Sequence, residues 1–202
     1  MLAGGFKKGR NIMKIYLTNL TDYNNGILRG CWVDPAGKDE EDIRDELRYI
    51  GVGDFDEFGD DAGDGGEITS EEFFITDYED APVEIDKYAT LEYCIHWADL
   101  CEEYGLELVS ALADGYSSDA EDVEEVLISG DYTIHNLGKY PRDKDEALGE
   151  SIIEEGYYSK YFDPSNPLLQ YIDYSSLGYD FRLDTNGFFC TLDGDTCYLE
   201  IL

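Results

Sequence analysis

The sequence predicts an α+β protein, arranged as an elongated row of three small units that are α+β, helical and α+β in turn. Three observations support this. Strand-like apolar patterns mark both ends of the chain, capped helical patterns fill its centre, and no segment repeats with a fixed period. We place the units at residues 14–85, 86–130 and 131–202. The basic leader 1–13 lacks any periodic pattern and is expected to be disordered.

The first unit begins with a predicted hairpin. Residues 14–20 and 27–33 have the composition of strands, and the Tyr-Asn-Asn-Gly segment 23–26 supplies residues that tolerate positive φ. Residues 39–50 then place their apolar side chains on one helical face, with acids around the rest, which predicts a short amphipathic helix. Another strand is expected at 72–78.

The acidic, Gly-rich segment 51–67 between that helix and that strand is predicted to be a solvated loop. An EF-hand calcium loop needs oxygen ligands at positions 1, 3, 5 and 12 and Gly at position 6. Frames that begin at Asp60 or Asp61 each lack at least one ligand, because Ala62 or a glycine occupies a required position. We therefore predict no metal and no cofactor, and calcium binding remains the alternative.

The central unit carries clear signals for helix ends. Thr90 can cap a helix that stops at Gly105, and a second helix follows at about 106–113. Ser118 with Glu121 has the spacing of a capping box before a third helix, which ends at Gly130.

The last unit is predicted as a strand at 132–137, a helix at 143–156, a short helix at 168–174 and a terminal hairpin of 181–192 with 196–202. Cys190 and Cys197 flank the turn of that hairpin symmetrically. They are expected either to pack as small apolar side chains or to form a redox pair. The chain contains five cysteines and no CxxC pair, which favours reduced thiols.

The charge of the chain excludes several classes of function. Fourteen Lys and Arg against 47 Asp and Glu give a net charge of −33, which repels nucleic acids and anionic membranes. At 43% hydrophobic and 14% aromatic residues, the chain is nevertheless expected to fold. It has no run of about 18 apolar residues and no apolar N-terminal signal segment, so a cytoplasmic protein is expected.

No catalytic site is predicted. The two histidines, His96 and His135, lie in a predicted helix and a predicted strand without a Ser or Cys nucleophile motif beside either. Gly63, Gly65 and Gly66 stand among aspartates that would repel a phosphate. We therefore expect a binding protein rather than an enzyme.

The acids concentrate on the predicted helices, and we call the following set the acidic track. It comprises Glu40, Glu41, Asp45, Glu46, Glu92, Asp99, Glu102, Glu103, Asp119, Glu121, Asp122, Glu124, Glu125, Glu150, Glu154 and Glu155. Residues 14–202 hold 11 basic and 47 acidic residues, a balance of −36. At one charge per 1.7 Å of B-DNA, that balance matches roughly 60 Å, or about 18 base pairs, of duplex. The alternatives are a solubilising surface, a halophilic origin, or an acidic cation-binding or chaperone-like module.

Three separated segments resemble one known family. Residues 15–32, with Ile15-Tyr-Leu-Thr-Asn-Leu20 and Tyr23-Asn-Asn-Gly26, are similar to the N-terminal signature of the ArdA antirestriction proteins. Residues 74–79 resemble the family's next strand, and residues 168–181 resemble its C-terminal segment. Residues 148–161 lie where the family carries its antirestriction motif.

The resemblance implies an elongated, curved protein of three parts, encoded on a mobile element. It would form a homodimer, mimic bent B-DNA and occupy the DNA-binding groove of a Type I restriction-modification enzyme. The implied mechanism is competitive occlusion, in which Asp and Glu replace phosphates and no bond is made or broken.

For the dimer interface we predict an aromatic and aliphatic cluster in the last unit, because few charges interrupt it. It comprises Tyr157, Tyr158, Tyr161, Phe162, Leu168 and Tyr171. Packing of these side chains within their own unit is the alternative, since a small unit needs its apolar groups for its core.

Overall fold

The computed structural model describes residues 13–54, 67–161, 163 and 165–202. Residues 1–12 of the leader, residues 55–66 of the acidic loop, Phe162 and Pro164 lie outside these ranges. Helices and strands are mixed along the chain, which confirms the predicted α+β class. The fold divides into two compact units, residues 1–110 and 111–202. That boundary falls within the predicted central unit, so the division into three units stays a prediction.

The first unit contains a three-stranded antiparallel sheet with strand order β2-β1-β3. Its elements are β1 (Lys14–Asn19), α1 (Leu20–Asn24), β2 (Gly30–Val33), α2 (Glu40–Tyr49), β3 (Phe73–Glu79), α3 (Leu91–Tyr104) and the start of α4 (Leu106–Gly115). Strands β1 and β2 pair as predicted, with Ile15 opposite Val33.

The connection between β1 and β2 differs from the predicted tight hairpin. Residues Leu20–Asn24 form a helical turn, and β2 begins only at Gly30, three residues later than expected. The Asn19 side chain causes this, because it accepts a hydrogen bond from the Asp22 amide and caps the turn.

Asn19 also joins the sheet to the end of α2. It is fully buried, and its amide nitrogen donates to the carbonyls of Ile50 (3.1 Å) and Gly51 (3.0 Å) and to the Thr69 hydroxyl (2.9 Å). This side chain therefore supplies the donor for the Ile50 carbonyl at the end of α2, and it shares the Gly51 carbonyl with the Thr69 and Ser70 amides.

The predicted helices of the first unit are confirmed. Helix α2 begins with a reciprocal capping box between Asp39 and Asp42, and it buries Ile43 and Leu47. Helix α3 begins at Thr90, whose hydroxyl accepts from the Tyr93 amide (3.2 Å). It ends at Gly105, which has a positive φ of 91°.

The second unit contains an antiparallel sheet with strand order β4-β6-β5. Its elements are α5 (Ala120–Ser129), β4 (Tyr132–Asn136), α6 (Lys144–Glu154), a 3₁₀ helix (Pro167–Tyr171), α7 (Tyr174–Asp184), β5 (Asn186–Leu192) and β6 (Asp195–Ile201). The side chain of Tyr198 on β6 packs with Leu148, Ile152 and Phe181 of α6 and α7. The opposite face of the sheet packs Cys197 and Leu192 against Ala111 of α4. Both sheet faces are thus covered.

Two predictions for this unit are wrong in detail. Residues 181–184 end a helix instead of starting a strand, and β5 begins at Asn186. The predicted helix 168–174 is a 3₁₀ helix at Pro167–Tyr171, followed by the unpredicted helix α7. The cause is Asp173, whose side chain accepts from the Ser176 amide (3.1 Å) and starts a new helix.

The capping residue of α5 is also shifted by one position. Asp119, not Ser118, accepts from the Glu121 amide (3.0 Å). An ionised carboxylate at this position interacts favourably with the positive end of the helix dipole. The predicted end of the helix at Gly130 is confirmed by its left-handed φ of 69°.

Helices α6 and α7 approach closely because two glycines lie between them. A Cβ atom on Gly178 would clash with the Asp145 carbonyl, and one on Gly149 would clash with the Tyr174 carbonyl. Only residues without a side chain permit this packing.

Candidate partner-binding surface

The side chains of the acidic track lie at the surface of both units. Fourteen of its sixteen residues are exposed, and Glu46 and Glu124 are half-buried. Helices α2 and α3 carry the members of the first unit, and α5 with α6 and their ends carry those of the second. Each unit therefore presents carboxylates to solvent.

Local sequence explains why these acidic segments form helices despite their charge. Acids occupy the first turns of α2, α3, α5 and α6, where the partial positive charge of the helix N-terminus attracts them. Asp143 caps α6, and its pKa is lowered by hydrogen bonds from the Glu146 amide and the Ser175 hydroxyl. Part of the negative charge therefore stabilises the helices that display it.

Several members of the track have partners within their own unit. Asp99 accepts from the Gly37 amide (2.7 Å), and Asp122 accepts from the Ser117 hydroxyl (2.7 Å). Asp45 pairs with Arg48 at 3.4 Å, and Glu46 lies 3.9 Å from Lys38. These carboxylates therefore form contacts within their own unit, in addition to any contact with a partner.

Nine members have side chains without a hydrogen-bond or ion-pair partner among the described residues. They are Glu40, Glu41, Glu92, Glu102, Glu103, Glu121, Glu125, Glu150 and Glu154. Their charges face solvent and are available to a basic surface.

Glu155 belongs to a buried cluster that the sequence did not reveal. Its Oε2 lies 2.7 Å from Nδ1 of His135, while Nε2 of the same ring lies 3.4 Å from Oε2 of Glu200. His135 is fully buried, and Glu200 is only 4% exposed. The Tyr157 hydroxyl donates to Oε1 of Glu200 (3.4 Å), and burial together with Glu200 raises the pKa of Tyr157.

The carboxylates of this cluster orient the His135 ring from both of its nitrogens. The ring packs edge-on against Phe181, at a centroid distance of 5.6 Å, and near Tyr198. With carboxylates on both ring nitrogens and aromatic side chains around it, His135 connects the end of α6 to the sheet. The only sequence signal was the alternation of β6, which places Tyr198 and Glu200 on one face.

The predicted dimer cluster divides into two groups. Tyr161, Leu168 and Tyr171 are 73%, 63% and 78% exposed, whereas Tyr158 packs against the core of its own unit. Tyr157 is half exposed and contacts Phe181 edge-on at 5.0 Å. The exposed group is therefore the part that remains available to a second chain.

Metal binding was predicted as an alternative for the acidic loop, and redox chemistry as an alternative for Cys190 and Cys197. The described ranges contain no group of His, Cys, Asp and Glu suited to a metal, and the two calcium frames fall largely outside them. Cys190 and Cys197 face each other in register across β5 and β6, as the hairpin predicted. Both are free thiols, and burial raises the pKa of Cys190 to about 12. No described helix has the length and apolar character needed to cross a membrane.

One family of known proteins matches the chain over most of its length. A family model described as antirestriction protein (ArdA) matches residues 15–193. No curated protein matches the chain. The family match spans most of both compact units, including the helices that carry the acidic track. Antirestriction proteins are inhibitors rather than enzymes. The chain belongs to the ArdA family of antirestriction proteins.

Proposed function

We propose that this protein inhibits Type I restriction-modification enzymes in the cytoplasm by mimicking DNA. The observation that carries the proposal is the set of nine exposed, unpartnered carboxylates on helices of a chain with a net charge of −33. A groove that binds DNA is lined with Lys and Arg, which pair with phosphates. Carboxylates on rigid helices can form the same ion pairs, so the protein competes with DNA for the groove.

Retention of this surface has a physical cost that favours a binding role. Small domains commonly carry a net charge of about 2 to 8 in magnitude, and larger charges oppose folding through self-repulsion. The structure offsets part of the cost by placing acids at helix N-termini. Five of the nine unpartnered carboxylates lie outside those first turns, and they are Glu102, Glu103, Glu125, Glu150 and Glu154. A basic partner explains why they are present.

The proposal includes a homodimer formed through Tyr161, Leu168 and Tyr171 of two chains. These side chains are more than half exposed and carry no charge, which suits the core of an interface. Two chains would double the roughly 18 base pairs of duplex that one chain's charge can replace. Sedimentation of wild type and Tyr161→Glu at micromolar concentration tests this, and a monomeric wild type at low and high salt would exclude the dimer.

The main experiment is a competition assay with a purified Type I methyltransferase and labelled duplex carrying its recognition site. Added protein should displace the duplex. The apparent Kd of the duplex should rise linearly with the concentration of the protein. Displacement should weaken between 50 and 200 mM salt, because exposed ion pairs are screened over about 10 Å at 0.1 M. Affinity that does not change with salt would contradict an electrostatic mimic.

A matched pair of variants separates specific carboxylates from total charge. Glu121→Gln with Glu125→Gln removes two track carboxylates from α5, and Asp180→Asn with Asp184→Asn removes two exposed carboxylates from α7. Exposed pairs contribute at most about 1 kcal/mol each, so the loss of two should weaken binding of the α5 variant by up to about 30-fold. The α7 variant should bind nearly as well as wild type. Equal weakening would show that only total charge matters.

A further inference from the structure

One exposed loop of the second unit is basic, in contrast to the acidic body of the protein. It connects β4 to α6 and contains Lys139 and Arg142, with Lys144 directly after it. Three of the 14 Lys and Arg residues thus lie within six positions, while residues 88–138 contain none. Lys144 lies over the Phe189 ring at 5.2 Å, but Lys139 and Arg142 are exposed and have no ion pair with any described residue.

Both ends of this loop are anchored. The Gly138 amide donates to the Asn136 side chain (2.8 Å), and the Gly138 carbonyl accepts from the Thr196 amide (2.9 Å). At the other end Asp143 caps α6. Residues 139–142 therefore lie between two ends that hydrogen bonds hold in place.

The tip of the loop holds a tyrosine in a strained conformation. Tyr140 has a φ of 53°, which is unfavourable for an aromatic residue and further disfavoured by the following Pro141. Its side chain is 87% exposed and contacts no ring or hydrogen-bond partner among the described residues. The strain therefore gains no packing within the described parts of the chain, and strained residues of this kind concentrate at binding sites.

We infer that residues 139–142 form a second contact with the restriction-modification enzyme, directed at an acidic patch beside its DNA-binding groove. Lys139 and Arg142 pair with carboxylates of the enzyme, and the Tyr140 ring packs between them. Tyr and Arg are the residue types that most often dominate interface energies. This inference rests on the proposed function and identifies a surface of the same partner.

The contact would solve a problem that a uniform polyanion faces in a basic groove. Such a ligand is attracted in many registers along the groove. A contact of opposite sign on each chain is favourable in only one register, because every other placement sets the cations of the loop against the basic groove. The loop therefore fixes the register, whereas the acidic track supplies attraction.

Charge reversal in the loop tests the inference. A protein that acts only as a polyanion and a protein whose loop docks on an acidic patch should change their affinity for the enzyme in opposite directions. If the protein acted only as a polyanion, Lys139→Glu with Arg142→Glu would bind the enzyme equally well or more tightly. If the loop docks on an acidic patch, the same variant should inhibit at least 10-fold more weakly. The matched control is Lys14→Glu with Lys87→Glu, which makes an equal change of charge at two exposed lysines of the first unit and should not weaken inhibition.

Tyr140→Gly provides a second measurement. Glycine accepts the positive φ, so the variant should melt at the same temperature as wild type or higher, yet bind the enzyme at least five-fold more weakly. Circular dichroism confirms that each variant is folded.

A loop variant that inhibits as well as wild type overturns the inference and leaves the proposed function intact. If the wild-type protein displaces no DNA from the enzyme, both the inference and the proposed function are wrong. If a loop variant loses self-association in sedimentation to the same extent as it loses inhibition, the loop contacts a second copy of the chain. That result would also overturn the inference.

Discussion

Neighbouring acids at the end of α6 should differ sharply in what they contribute to stability. Glu154 and Glu155 are adjacent, exposed members of the acidic track near the same helix C-terminus. Only Glu155 reaches the buried His135, at 2.7 Å, and it also accepts from the Ser151 hydroxyl at 2.8 Å. We expect Glu155→Gln to destabilise the protein and Glu154→Gln to leave its stability nearly unchanged.

The magnitude follows from the geometry of the His135 contact. A hydrogen bond to a charged group contributes about 1.5 to 3 kcal/mol when buried. The Glu155 side chain is 41% exposed, while that of His135 is 1% exposed, so solvent screens one partner. Exposed pairs contribute at most about 1 kcal/mol, which places the loss for Glu155→Gln near 1 kcal/mol. For a unit of this size that corresponds to about 4 to 8 °C in Tm.

Calorimetry at pH 7 measures this difference, and the DNA-competition assay run on the same variants gives a second readout. Both variants lose one carboxylate near the negative end of the same helix dipole, so the effect of the dipole is shared. Binding to the enzyme should weaken more in Glu154→Gln, because Glu154 has no partner within the described residues, while only Glu155→Gln should melt earlier. Identical melting temperatures for the two variants would refute the structural role assigned to the His135 contact.

Three further predictions concern the scaffold. Gly178→Ala should lower the free energy of unfolding by about 1 to 3 kcal/mol, because its Cβ would clash with the Asp145 carbonyl; urea denaturation measures the loss, and a neutral result would refute the close packing. Asn19→Ala should cost about 2 to 3 kcal/mol in the same assay, since it leaves the Ile50 carbonyl after α2 without a donor and the Asp22 amide without its acceptor; unchanged stability would contradict the role of Asn19. Asp143 has a lowered pKa in the folded state, so its ionised form contributes stability at neutral pH that is lost as the pH falls through that value. Asp143→Asn keeps the cap without the charge, so the stability gap between wild type and variant should shrink from pH 7 to pH 3; a gap that widens on acidification would reverse the argument.

Helices with strong end signals could be predicted from the sequence. For α3, Thr90 and Gly105 both act as expected, and the apolar spacing between them matches the buried face. Both α2 and α3 combine a periodic apolar pattern with a capping side chain, so local and tertiary preferences agree. Carboxylates are seldom buried, so the exposure of most of the acidic track could also be anticipated.

Helix α7 was missed because its sequence gives misleading local signals. Gly178 lies in its interior, where glycine costs about 1 kcal/mol relative to alanine and usually argues against a helix. In the structure the same glycine permits close contact with α6, so tertiary packing outweighs local preference.

The buried acid Glu200 could not be distinguished from the other 46 Asp and Glu residues by composition. Its burial depends on the register of β4 against β6, which brings His135 opposite Tyr198 and near Glu200. Register is a property of paired strands, and neither strand alone specifies it.

The glycine contact between α6 and α7 limits how this protein can diversify. An inhibitor whose target enzymes vary benefits if its surface acids can be exchanged. Glu150 on α6 is exposed, so its carboxylate can be replaced by that of Asp, or placed one helical turn away, without disturbing the core. Gly149 and Gly178 have no such freedom, because any side chain at either position pushes the two helices apart. We therefore expect natural variants to differ widely in the placement of their carboxylates while these two positions stay glycine, so that new specificities arise on an unchanged helix pair.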